Sequence, residues 1–111
     1  MEHDETLERL VFRATNFEHG KAVNTLIRKD PFRCNVQPLN GRELLLVPEH
    51  QRFSEQYWAY VPISVNGKMF EKPGDVVLRG EVHYQVQEVE YWGSYQRVRL
   101  MRVDIGPYKT P

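Results

Sequence analysis

The side chains that could do chemistry in this 111-residue chain are few, and most have an oppositely charged residue at matching spacing. Glu88 and Glu90 stand two apart in an alternating stretch, so both carboxylates share one strand face, as an acid/base couple requires. Arg97 and Arg99 repeat that spacing across the loop that carries Tyr91 and Tyr95, and cross-strand ion pairing is the competing reading. The same two arginines and Arg102, beside the aromatic loop Tyr91, Trp92 and Tyr95, have the composition of a groove for single-stranded nucleic acid. Against this, Arg97 and Arg99 have acidic neighbours, Arg102 lies on the opposite parity, and exposed aromatics serve protein interfaces equally well.

The remaining chemistry is sparse. His3, His19, His50 and His83 have no metal-ligand spacing such as HxxxH, so no metal site is expected. The chain has no GxSxG, no phosphate-cradling glycine loop and no Cys/His pair at a catalytic spacing, so neither a catalytic residue nor a cofactor is expected. Cys34, the one cysteine, reads as a small buried residue in a reducing compartment. Fifteen basic and fifteen acidic side chains cancel, which leaves no global electrostatic case for nucleic acid or membrane. The acidic start and the lack of any long apolar run predict a soluble product that keeps its N-terminus. The length suits one core, hence one domain over 1–111.

The elements that must position these groups are mostly strands. Pro73-Gly74-Asp75 is turn chemistry, Arg79-Gly80 is a second reversal, and Val82, Tyr84 and Val86 alternate with His83, Gln85 and Gln87. The strand returning from the aromatic loop sets Val98 and Leu100 against Arg97 and Arg99. These pieces predict three neighbouring antiparallel strands within 72–103. The alternation falters at Glu88-Val89-Glu90, which marks a bulge or a strand leaving the core.

Upstream, residues 1–6 read as a flexible acidic arm, 7–14 as a first strand and 22–28 as a second strand, with a short helix as the alternative there. Lys29-Asp30-Pro31 is expected to break the chain before a strand over 32–38 with Phe32, Cys34 and Val36 on one face. Asn40 and Glu43 make a capping-box variant, which opens a helix that Pro48 stops after two turns. Residues 57–63 resume strand character, with Trp58 and Tyr60 opposite Tyr57, Ala59 and Val61, so both faces should be covered; Pro62 implies an edge strand or a frayed end. Asn66-Gly67 reads as a hairpin turn, and the tail 104–111, with Gly106, Pro107 and Tyr108, as extended and poorly ordered without a partner. The fold class is all-β, a small antiparallel barrel or sandwich of about six strands with one short helix.

Two regions stand out for function. The polar segment Pro48, Glu49, His50, Gln51, Arg52 through Glu55 is long for a connection and has nearly balanced charges; it reads as a loop aimed at a channel or as a solvated surface loop. The aromatics Trp58, Tyr60, Tyr91, Trp92 and Tyr95, together with Gly106, Pro107 and Tyr108, are the candidate subunit or partner interface.

The order of pieces resembles the phage head-tail joining proteins, the small β-barrel neck components also called head closure or stopper proteins. Three segments carry this: the N-terminal strand, loop and second strand; Val36-Gln37-Pro38-Leu39-Asn40-Gly41-Arg42-Glu43-Leu44, similar to the family's xxPLSGREL helix start; and Lys72-Pro73-Gly74-Asp75 through Gly80 to Tyr84-Gln85-Val86, similar to its kpGDrvxxxGxxYxV hairpin. Asn40 stands where the family often has Ser, and keeps the capping role. The resemblance implies a non-catalytic virion protein, assembled in the host cytoplasm, that forms a six- or twelve-fold ring of itself. Portal and adaptor proteins would lie above it and a tail-completion protein below, with packaged DNA passing only transiently and no membrane contact. The alternatives are another neck or tail-completion protein with a similar barrel, or an OB-like module for single-stranded nucleic acid.

Overall fold

On six strands the apolar residues alternate toward a common interior, and the strands close around it. The computed structural model describes the backbone of residues 5–18, 21–51 and 54–110, and the side chains of all of these except 14–18 and 21–23. The strands are β1 (Glu5–Glu18), β2 (Lys21–Pro38), β3 (Gln56–Pro62), β4 (Val76–Arg79), β5 (Val82–Tyr91) and β6 (Tyr95–Arg102). All neighbours are antiparallel in the order β1-β2-β3-β6-β5-β4, and β4 pairs back onto β1 to close a barrel. Its interior holds Leu7, Phe32, Cys34, Ala59, Val61, Val77, Tyr84, Val86, Val98 and Leu100, with the parities expected on β2, β3, β5 and β6. Burial of each large side chain there contributes about 1.5–3 kcal/mol.

Phe70 joins this core from the connection before β4, and its ring meets Phe32 edge-on at 5.2 Å. Gln96, on the inner face of β6, is wholly buried, and its side chain accepts from the Phe70 amide at 3.1 Å and donates to the Phe70 carbonyl. Both backbone groups of a non-strand residue are thus satisfied inside the barrel. The faltering alternation on β5 is a bulge: the register shifts between Val86 and Glu88. The extra residue returns Val89 to the core while Glu88 and Glu90 face outward.

Several boundaries differ from the expectation. Residues 21–38 form one strand, unbroken at Pro31. β2 pairs with β1 on one side, but β3 joins the other side only from Asn35, so Pro31 lies where that edge carries no β3 ladder for its missing N–H to disrupt. β1 begins at Glu5, not Leu7, because Glu5 holds Arg79 of β4 with contacts of 2.9 and 2.7 Å. Of the expected arm, Glu5 and Thr6 therefore belong to the barrel, and Met1 to Asp4 lie outside the described residues.

The capping box forms as expected, with Asn40 accepting from the Glu43 amide at 2.8 Å and Glu43 accepting from the Asn40 amide at 3.0 Å. The helix itself, α1 (Gly41–Leu44), is a single turn, and i to i+3 bonds to Leu46 and Val47 tighten the chain before Pro48. Asn66-Gly67 closes a second one-turn helix, α2 (Ile63–Asn66), with Gly67 at φ 72° as its C-cap; it makes no hairpin. Pro62 is the last residue of β3, which lies between β2 and β6 and is not an edge strand. The tail is extended, but this chain holds it: Lys109 forms a parallel bridge with Thr25 of β2.

Candidate protein interface

On the outer face of the barrel, β3 presents Trp58 and Tyr60, β6 presents Arg97 and Arg99, and β5 presents Glu88 and Glu90. The ladder sets Glu88 opposite Arg99 and Glu90 opposite Arg97. Both pairs close, at 3.0 and 2.7 Å, so the two carboxylates serve ion pairs rather than each other. The Arg97 guanidinium lies 4.0 Å over the Trp58 ring and 5.5 Å from that of Trp92. Burial is the largest influence on Arg97 and opposes its charge, yet Glu90 and Tyr60 together outweigh it and raise its pKa.

The capped turn α1 lies over this face. Glu43, besides capping Asn40, accepts from Trp58 Nε1 at 2.7 Å. Leu39, Val47 and Trp58 form a second, outer apolar cluster with Leu44 and Tyr60 against it. A one-turn helix can bury only one side, so Leu45 and Leu46 are left 67% and 83% exposed. Leu46 edges a hollow of about 150 Å³ that Trp58, Arg97 and Arg99 also line. Near Arg97, Trp92, 54% exposed, stacks on Tyr95 at 6.5 Å and donates to Glu90 at 3.0 Å. Leu45, Leu46 and Trp92 are thus exposed apolar side chains around an ion-paired platform.

The candidate aromatics thus divide. Trp58 is buried by α1 and offers no free surface, which corrects its place among interface residues. Tyr60 and Tyr95 are half-buried and lie 5.9 Å apart, while Tyr91 and Trp92 are open to contact. Tyr108 packs elsewhere, between Phe12 and His83, with Gly106 and Pro107 exposed before it. Leu45 and Leu46 escape sequence reasoning as interface residues, although a run of three leucines on a turn that Pro48 must end signals that some have no side to bury.

The polar segment after α1, read from the sequence as a channel-aimed or solvated loop, is tied to the barrel in its middle and at its end. Arg99, 3% exposed, donates to Gln51 at 3.0 Å and to Gln56 at 2.6 Å, and Gln51 bonds Gln87 of β5 at 3.2 Å. Glu55 accepts from the Tyr57 and Tyr84 hydroxyls at 2.6 and 3.2 Å and pairs with Arg102 at 3.2 Å. The Tyr57 bond chiefly lowers the Glu55 pKa and raises that of Tyr57. Pro48, Glu49 and His50 are exposed; Arg52 lies outside the described residues.

Arg97, Arg99 and Arg102, the cations of the nucleic-acid reading, each face a carboxylate. Among the described residues no three His, Cys, Asp or Glu side chains gather as metal ligands. No protein-family model matches the sequence, and the search of curated proteins found no match.

Proposed function

We propose that the chain is a structural protein of a tailed-phage virion, a barrel subunit of the neck ring that closes the filled head and docks the tail. The observation that carries this is the set of exposed apolar side chains Leu45, Leu46 and Trp92 around an ion-paired barrel face. Apolar side chains rimmed by satisfied charges are the composition of a protein contact. Two of the three segments that resemble the head-tail joining proteins build this platform. The PLNGREL stretch makes the capped turn over Trp58, and the PGD to YQV stretch makes the turn and hairpin that lead into Glu88 and Glu90.

Packaged DNA must pass such a ring without being held. A surface whose arginines already face carboxylates releases few counterions to phosphate, and that favours a conduit over a binder. The same pairing disfavours the OB-like reading, in which those arginines would track a backbone. Where the channel reading of the 48–56 segment applies, it narrows to the exposed tip Pro48, Glu49 and His50, since Gln51 and Glu55 are committed to the barrel.

Removal of the gene from its phage tests the proposal. Heads are expected to fill, then leak DNA and carry no tails, and the gene supplied in trans restores them. Tailed, infectious particles at normal yield would overturn it.

A further inference from the structure

We infer that the C-terminal segment 104–110 is an exchangeable strand: it closes the edge of its own β2 in a separate subunit and pairs with the same edge of a neighbouring copy in the assembly. Its biological setting rests on the ring reading, but its chemistry concerns two pieces of one chain.

The acceptor is the edge of β2 that faces away from β1. β3 covers it only over Asn35 to Pro38, and the Asn66 side chain takes the N–H and C=O of Arg33. Farther along, the Leu26 amide donates to the Lys109 carbonyl at 2.7 Å and the Lys109 amide donates to the Asn24 carbonyl at 3.0 Å. Ile27, next on this edge, is 46% exposed. A strand edge with two backbone bonds made is a template for any copy of the segment that makes them.

The donor is short and mostly exposed. Besides those two bonds, the Tyr108 ring anchors it, edge-on to Phe12 at 5.1 Å, with its hydroxyl 2.9 Å from His83 Nε2. Its root has a hinge: Gly106 sits at φ 69° with its amide bonded to Asp104 at 2.9 Å, a conformation that L side chains rarely adopt and that a small rotation can redirect. The chain from Val103 to Tyr108 can span about 20 Å when extended, enough to leave one barrel for an adjoining one.

A second copy is the occupant because its tail has the same sequence as the strand already seated there. In a lone subunit the tether gives the tail an effective concentration on the order of mM, so exchange needs neighbours at that density, which a ring provides. Identical edges and identical tails then meet around the symmetry axis, and exchange costs no contact that it does not remake.

Introduced cysteines test this. Thr25 and Lys109 face each other in the bridge, a spacing that suits a disulfide, and Cys34 stays in place because it is wholly buried. The double variant T25C/K109C, oxidised at micromolar concentration, should cross-link within one chain; absence of that bond overturns the inference at its base. A mixture of T25C chains and K109C chains, oxidised near ~mM concentration, should give covalent heterodimers at least ~10-fold above a control mixture of Glu49→Cys and K109C chains, the span over which millimolar neighbours rival the tether. Heterodimers no more abundant than in that control would show that the tail does not exchange. Both measurements use purified protein, so they decide strand exchange whether or not the neck reading holds, and a failure here leaves the neck reading standing.

Discussion

The side-chain amide of Asn66 bonds both backbone groups of Arg33, accepting from its N–H at 2.8 Å and donating to its carbonyl at 2.9 Å. One side chain thereby stands in for a strand on an edge that β3 has not yet reached. The same amide donates to the Pro62 carbonyl at 2.9 Å, which ties α2 to the end of β3. Asn66→Ala is expected to lower stability by about 1–2 kcal/mol, the loss of two to three partly exposed bonds, read as a lower urea midpoint. Asn66→Asp, which keeps only the acceptor, should fall between; a wild-type midpoint for Asn66→Ala would contradict this role.

Glu43 makes the return half of the capping box and also receives Trp58 Nε1. Asn40→Ala should cost about 1 kcal/mol, as an N-cap does. Glu43→Ala should cost about 2 kcal/mol or more, because it also strips a buried indole of its acceptor. Tryptophan emission should shift to the red in Glu43→Ala alone. Equal costs and unchanged emission would show that the turn caps itself without organising the outer face.

Much of this was legible in the sequence, and what was not has physical reasons. The Glu88/Arg99 and Glu90/Arg97 pairs, the bulge before Val89, the Asn40 cap and the buried Cys34 follow from period-two spacing and local chemistry, which need no distant partner. Pro31 misled because a proline's cost in a strand depends on whether the other edge is paired, and β3 decides that from outside the segment. Asn66-Gly67 misled because the dipeptide suits a helix end as well as a hairpin. Gln51, Gln56 and Arg99 come together across 48 residues, and polar side chains carry no period that announces such a meeting. Tyr108 found its place on Phe12 and His83 for the same reason: its partners are far upstream.

Stability should depend on acid pH through two carboxylates. Arg28 chiefly, then Arg9, lower the Asp30 pKa by hydrogen bonds of 2.6 and 2.8 Å, and Tyr57 chiefly lowers that of Glu55. A depressed folded-state pKa gives stability that is complete above the unfolded value, about 4, and is lost as pH falls through the folded one. The urea midpoint should therefore be level from about pH 5 to 8 and drop below about pH 4. Asp30→Asn should start lower at neutral pH and lose less on acidification; a parallel acid limb in the variant would refute the assignment.

Leu46→Glu separates folding from assembly. At 83% exposure the side chain contributes little to the fold, so the change should stay within about 0.5 kcal/mol of wild-type stability. Placed in a contact centre, the new charge should weaken assembly by about 10-fold or more, seen as fewer tailed particles from a complementing plasmid. Normal complementation would move the interface away from this patch.

The central claim, that this barrel is a ring subunit of a phage neck, is tested most directly by a symmetry-resolved cryo-EM reconstruction of the neck in virions that carry the chain. The account predicts six or twelve copies of this barrel stacked on the axis between portal and tail, with Leu46 and Trp92 at a protein contact. Virions that lack the chain, or carry it scattered over the capsid or as a single copy, would contradict it.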